Sequence, residues 1–192
     1  MAALTTVLFW TAVTAAAAII TTLLVTVVTR FRLWPPADDT QKTVLHWGLV
    51  SVFNVCIVSI AVLEWNSWTL SRPSSLIVGM LLSGCGAVLF VASSRAMGTA
   101  ETTGQTTDEL YTDGLYGRSR NPQYVGMMIG LAGFALLVNS LAVAILSLLH
   151  ICWLVLLPFA EEPWLRDRFG DEYDDYCNQV PRFVSRRTLC QA

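Results

Sequence analysis

Two polar stretches carry nearly every residue of this chain that is equipped for chemistry. The first reads YGRSRNPQYVG over Tyr116–Gly126, and the second reads EEPWLRDRFGDEYDDYCNQVPRF over Glu161–Phe183. Together they supply carboxylates, guanidinium groups, phenols and an Asn-Pro step, but no nucleophile beside a base. No Ser/His/Asp or Cys/His arrangement is visible, and no GxGxxG, HExxH or phosphate loop occurs. His46 and His150 lie far apart in apolar runs, and the five cysteines (Cys56, Cys85, Cys152, Cys177, Cys190) show no metal-ligand spacing. A metal site is therefore not expected. What remains is the chemistry of binding and orientation. Carboxylates such as Glu161 and Glu101 can receive an ammonium or hydroxyl groups, tyrosines can pack around a flat ring, and Arg120 and Arg182 can orient a carboxylate.

Each group also has a plainer reading. Glu161-Glu162 ahead of Pro163 suits the acidic first turn of a helix, and Asn121-Pro122 suits a helix start. Tyr111 and Tyr116 fit interface packing as well as ligand contact. Tyr173 and Tyr176 read as packing residues, and Asp171, Glu172, Asp174 and Asp175 as a solvated face.

The elements that position these residues follow from hydropathy. Of 192 residues, 54% are hydrophobic and only 14% charged, with a mean hydropathy of +0.55. A soluble domain carries about a quarter charged residues, so much of this surface must face lipid. The net charge is −2, and eleven of the twelve basic residues are Arg, clustered between apolar runs. No basic stripe with interleaved aromatics appears, and nucleic acid is not an expected partner.

A helix crosses a bilayer with about 20 apolar residues. Leu4–Val28, Val44–Leu63 and Ser75–Ala92 qualify. The first lacks a basic leader and exceeds the roughly 7–15 residues of a signal-peptide core, so it reads as a retained span. Tyr124–Pro158 is too long for one span and is broken at Asn139-Ser140, which predicts a hairpin of Tyr124–Val138 and Leu141–Leu157. The predicted fold class is all-α, a polytopic membrane bundle of about five transmembrane segments in a single membrane domain spanning 1–192. Residues 1–92 hold the three N-terminal spans; 93–192 hold both polar stretches, with hairpin 124–157 and tail 158–192. In the tail, a short helix is expected from about Pro163, and Gly170 can end one helix and begin another. An N-terminus outside the membrane puts every Lys and Arg but Arg72 on the inner side, which predicts both long polar segments and the C-terminus in the cytoplasm. Trp10, Trp34, Trp47, Trp65 and Trp68 near span ends read as interface anchors. Two same-side polar segments, Ser93–Gln123 and Phe159–Ala192, then bracket the hairpin and suggest one composite site.

In this setting the two stretches resemble the signature of the integral membrane methyltransferases that include isoprenylcysteine carboxyl methyltransferase and the phospholipid methyltransferases. Arg120, Asn121, Pro122, Tyr124 and Gly126 enter a span. After the hairpin come Glu161, Glu162, Leu165, Phe169, Gly170, Tyr173 and Tyr176, then Val180, Pro181, Arg182 and Phe183. The resemblance covers roughly residues 95–185. It implies S-adenosyl-L-methionine held between the two cytoplasmic segments, and a lipophilic or lipidated acceptor entering from the surrounding membrane lipids. By position, the implied cofactor shell is Glu101, Asp108, Glu109, Leu110, Tyr111, Tyr116, Asn121, Pro122, Gln123, Tyr124 and Glu161. Arg120, Glu161 and Arg182 are the residues implied for catalysis. Methyl transfer is an in-line displacement whose rate can come largely from positioning and dehydration, without an obligatory acid–base pair.

Two departures stand out, the first in the implied cofactor shell and the second bearing on the acceptor. Asp108 stands where the isoprenylcysteine enzymes often carry His, and Leu157 stands where they place an Arg that suits a substrate carboxylate. An alkyl group cannot replace a bidentate guanidinium. The acceptor stays open between an isoprenylcysteine-like carboxylate and a lipid amine or thiol. Two alternatives keep the fold: a membrane-embedded NADPH-dependent reductase, and a non-catalytic lipid-binding subunit. An obvious basic cluster for the 2′-phosphate of NADPH is missing from the sequence.

Overall fold

The computed structural model describes residues 2–29, 31–36, 39–97 and 109–184. Of the expected site residues, Glu101 and Asp108 lie outside the described residues. The described chain is helical: α1 (Ala2–Thr29), α2 (Thr40–Leu63), α3 (Arg72–Met97), α4 (Pro122–Val138), α5 (Leu141–Phe169) and α6 (Asp171–Gln179). Helices α1, α2, α3 and α5 are long and apolar enough to cross a membrane; α4, with 17 residues, is a shorter apolar helix. Large apolar side chains such as Val7, Trp10, Val62, Leu81 and Val88 point outward, the surface of a helix bundle solvated by lipid. The chain is a helical membrane bundle.

The helices pack in two pairs joined by α5. Helices α1 and α2 pack together and both touch α5, while α3 packs on α4, which in turn packs on α5. Ala12, Ala15, Ala16 and Ile19 of α1 let Phe53, Ile57 and Ile60 of α2 and Leu146, Trp153 and Leu154 of α5 close around them. The α3–α4 seam is tighter. A methyl group on Gly86 would lie 2.6 Å from the Gly126 carbonyl, and one on Gly126 would lie 2.7 Å from the Phe90 nitrogen. Glycine at these places lets two backbones approach, the packing mode that works where lipid removes the hydrophobic drive between helices.

At the end away from the polar stretches, the Asn139-Ser140 step turns α4 into α5. Asn139 adopts the left-handed conformation (φ 54°), which Asn tolerates. Its amide nitrogen donates to Asn66 Oδ1 at 2.8 Å and to the Leu70 carbonyl at 3.2 Å. Ser140 caps α5, its Oγ accepting from Val143 N and donating to Glu64 Oε2. Arg72 donates from Nη1 to the Leu137 carbonyl at 2.7 Å, and its guanidinium lies 4.8 Å from the Trp65 ring centre. The one basic residue set apart from the others is thus engaged at the carboxyl end of α4.

One boundary differs from the sequence expectation. Helix α5 does not stop at Leu157, nor does a new helix begin near Pro163; it runs on through Pro158 and Pro163 to Phe169. Each proline removes one backbone donor, but the buried stripe of α5 continues through Leu157, Pro158, Ala160 and Glu162, and that packing outweighs the local break. At 1.5 Å per residue its 29 residues span about 43 Å, more than the roughly 30 Å of hydrocarbon. The extra turns carry Glu161 and Glu162 to the edge of the bundle. Gly170 (φ 55°) then ends α5 and starts α6, as its sequence suggests.

Candidate active site

Three connections meet at the other end of the bundle: the α1–α2 loop, the segment before α4, and the tail after α5. The segment before α4 runs beside the tail. Arg120 N donates to the Pro181 carbonyl at 2.9 Å, and Asn121 Nδ2 and Ser119 Oγ both donate to the Arg182 carbonyl, at 2.9 and 3.4 Å. Tyr176 adds a buried hydrogen bond from its hydroxyl to the Tyr116 carbonyl, at 2.7 Å. Asn121 sits at the N-cap of α4 with Pro122 following, yet its side chain makes no cap bond; it is spent on the tail instead. Tyr173 and Tyr176 of α6, with Val180 just after it, pack with Leu110, Leu165 and Phe169 to close this side.

Within this end, two neighbouring glutamates have opposite surroundings. Glu162 is buried and receives Arg182 in fork geometry, Nε to Oε1 and Nη2 to Oε2, both at 2.6 Å. Arg120 Nη2 adds a third contact at 3.3 Å, and Arg120 Nη1 also donates to Cys177 Sγ. The Arg182 guanidinium lies 4.0 Å from the Phe159 ring centre. Among the described residues Glu161 has only neutral donors. Tyr124 Oη and Trp34 Nε1 both donate to its Oε1, at 2.6 and 2.8 Å. Among the described residues no cation lies within ion-pair distance of Glu161. Glu162 is electrostatically satisfied; Glu161 is not.

Between these groups lies a narrow, partly open cleft of about 70 Å³. Met97 of α3, Glu109, Leu110, Tyr111, Tyr116, Arg120 and Asn121 line one wall. Pro158, Glu161, Glu162, Leu165, Phe169, Tyr173 and Tyr176 line the other. Burial pushes the phenols of Tyr116, Tyr173 and Tyr176 well above the ordinary value of 10.0, so they are neutral. Of the residues singled out in the sequence, Glu109, Leu110, Tyr111, Tyr116, Arg120, Asn121 and Glu161 reach the cleft. Tyr124 stands behind Glu161 as its donor. Gln123 is buried, with Nε2 3.7 Å from Met97 Sδ, and Pro122 is buried at the first turn of α4. Arg182 stands behind Glu162.

Sequence reasoning missed several contributors. Trp34 is 4% exposed and bonded to Glu161; as an inward-facing residue it corrects the reading as an interface anchor. Met97, Glu162, Leu165, Phe169, Tyr173 and Tyr176 also line the cleft. Recurrence of the last four at helical spacing marks a buried face, which is the signal that pointed to packing.

The comparisons with known proteins bear on this geometry. A family model described as phospholipid methyltransferase matches residues 74–172, a stretch that holds most of α3, all of α4 and α5, and every residue lining the cleft except Tyr173 and Tyr176. The nickel-cobalt-cadmium resistance protein NccN of Alcaligenes xylosoxydans xylosoxydans is 28% identical over 160 residues, covering 80% of this chain and 70% of the relative. The cobalt-zinc-cadmium resistance protein CzcN of Cupriavidus metallidurans is 27% identical over 151 residues, covering 78% and 67%. No solved structure matches the chain significantly. With more than half its length matched across the residues that build the cleft, the chain belongs to the phospholipid methyltransferase family.

Proposed function

We propose that this protein is a membrane methyltransferase that uses S-adenosylmethionine and methylates a lipophilic acceptor reaching the cleft from the bilayer. The observation that carries this reading is the unbalanced carboxylate of Glu161, set in an aromatic cleft beside a fully paired neighbour. A half-buried carboxyl group with no counter-ion among the described residues is best stabilised in its ionised form by a cationic ligand. The donor set fits the cofactor: a carboxylate for its ammonium or ribose hydroxyls, and Tyr111, Tyr116, Phe169 and Tyr173 for its ring. When bound, the cofactor supplies an electrophilic methyl group on a sulfonium.

The chain's own residues then bind, orient and exclude water. Tyr124 and Trp34 hold Glu161, while Arg120 and Arg182 hold Glu162 and with it the tail. Engaged in this way, Arg120 lines the wall of the site and Arg182 braces it from behind Glu162. Leu157, buried in the core one turn before Glu161, supplies no cation for a substrate carboxylate. Together these features favour an amine, thiol or other neutral nucleophile over a carboxylate. We place the N-terminus outside and the cleft at the cytoplasmic face, because the basic residues cluster around it while Arg72 lies at the far end. Among the described residues no group of three or more His, Cys, Asp or Glu side chains is placed to hold a metal ion. A part in metal tolerance, which the relatives' names carry, would on this reading run through methylated lipid.

Titration calorimetry of the purified protein with S-adenosylhomocysteine tests the cofactor, comparing wild type with Glu161→Ala and Tyr124→Ala. Incubation with methyl-labelled cofactor and whole lipid extract, followed by identification of the labelled product, tests the acceptor. A wild-type chain that binds no S-adenosylhomocysteine, or binds NADPH instead, overturns the reading.

A further inference from the structure

The donors on Glu161 come from two separate parts of the chain. Tyr124 belongs to α4, inside the stretch matched by the family. Trp34 belongs to the α1–α2 connection, outside residues 74–172. Its indole is 4% exposed and fixed on several sides. The ring lies tilted on His46 of α2 with centroids 4.0 Å apart, and edge-on to Trp47 at 6.5 Å. The preceding residue is tied to α1 by a hydrogen bond from Leu33 N to Thr26 Oγ1 at 3.1 Å. Beyond Pro35-Pro36, Asp39 N donates to the Pro36 carbonyl, and the Asp39 carboxylate accepts from Gln41 N and Lys42 N to cap α2. The loop is anchored in both helices it joins, so the indole N–H has little freedom to aim elsewhere.

Both donors address the same oxygen, Oε1. The other oxygen, Oε2, accepts no hydrogen bond from any described residue, and Glu161 lines the cleft. Two neutral donors fix the carboxyl group without ion-pairing it, where a lysine or arginine in the same place would. We propose that Trp34 is a positioning residue of the active site: it holds Glu161 so that Oε2 faces the cleft as the acceptor for a cationic or hydroxyl group of the methyl donor. The helix pair α1–α2 then belongs to the catalytic apparatus as well as to the membrane anchor. This inference rests on the methyl-donor reading above.

A double-mutant cycle tests it, with S-adenosylhomocysteine affinity as the readout and melting temperature measured beside it. Trp34→Phe keeps a ring on His46 but removes the N–H. We expect it to weaken binding about tenfold, the scale of one hydrogen bond to a charged group, and to cost nothing further in a Glu161→Ala background. Replacing the indole N–H by sulfur, with 3-benzothienylalanine at position 34, keeps the shape and should reproduce the loss if Trp34→Phe does not fold. Trp34→His, which restores a ring N–H, should recover part of the affinity. An unchanged affinity in Trp34→Phe, or the same loss with and without Glu161, overturns the proposal and leaves Trp34 a packing residue. A wild-type chain that binds nothing overturns the methyl-donor reading and this inference together, a result distinct from binding that ignores Trp34.

Discussion

Neutralising the two adjacent glutamates one at a time should separate stability from ligand binding. In Glu162→Ala, the carboxylate that holds Arg182 through two 2.6 Å hydrogen bonds and Arg120 through a 3.3 Å contact is gone. Removing one partner of a buried pair costs about 3–5 kcal/mol. The Arg182 side chain is 31% exposed against 11% for Arg120, so water recovers part of its loss, and about 3 kcal/mol is the expected cost. For a chain of this size that corresponds to roughly 6–12 °C in melting temperature. In Glu161→Gln, the amide oxygen can still accept from Tyr124 and Trp34, so stability should change by less than about 1 kcal/mol. The negative charge offered to the ligand is lost, however, which at about 1.5–3 kcal/mol for a hydrogen bond to a charged group predicts an affinity drop of about 10- to 100-fold. Melting in detergent, followed by tryptophan fluorescence, and calorimetric titration with S-adenosylhomocysteine read the two quantities on the same samples. If Glu161→Gln melts as early as Glu162→Ala while still binding normally, the assignment of one carboxylate to the fold and the other to the ligand is wrong.

Three further outcomes follow from the same structure. Gly86→Leu should separate α3 from α4, because even a methyl there meets the Gly126 carbonyl at 2.6 Å; the loss should show as a melting shift at least as large as that of Glu162→Ala, with weakened binding because α4 carries Tyr124. Asn139→Ala should cost about 1–3 kcal/mol, from a left-handed residue (φ 54°) and lost hydrogen bonds to Asn66 and Leu70, and Asn139→Gly should cost less, since glycine accepts the conformation. Stability should fall as pH rises past about 10: Tyr116, Tyr173 and Tyr176 stay protonated in the fold through burial while the unfolded phenols ionise. Absorbance at the tyrosinate band should therefore rise for these three only together with loss of helix.

Much of the fold is legible because lipid makes hydropathy the dominant signal. The apolar runs and the Asn139-Ser140 break place α1 to α4 and the start of α5 to within a few residues. The far end of α5 is not legible, because the local rules there are sound and still lose. Glu161-Glu162-Pro163 carries the marks of a helix start, and only the buried stripe running from Leu154 to Glu162 keeps the helix whole. The cleft is partly legible for a related reason. Tyr116–Tyr124 and Glu161 fall in dense local clusters, so their types and spacing stand out. Trp34 pairs with a residue 127 positions away, and a tryptophan beside a span end looks the same in sequence whether it faces lipid or a carboxylate. The Pro35-Pro36 step that follows it was the one local hint of a fixed loop.

The unequal fates of Glu161 and Glu162 could not be read from two identical letters, yet they follow once α5 is continuous. Successive residues on a helix point about 100° apart. On an unbroken α5, packed against α1 and α2 on one flank and α4 on another, that angle turns Glu161 toward Trp34 and Tyr124 and Glu162 toward Arg120 and the tail. Had the chain broken at Pro158 and restarted at Pro163, the two carboxylates would sit in a linker with no fixed angle between them. Both could then reach the arginines, and neither would be reserved for a ligand. The proline-containing turns of α5 are thus what convert a pair of equivalent acids into one ion-paired residue and one without a counter-ion, and the open acceptor at Glu161 is a product of helix geometry rather than of residue type.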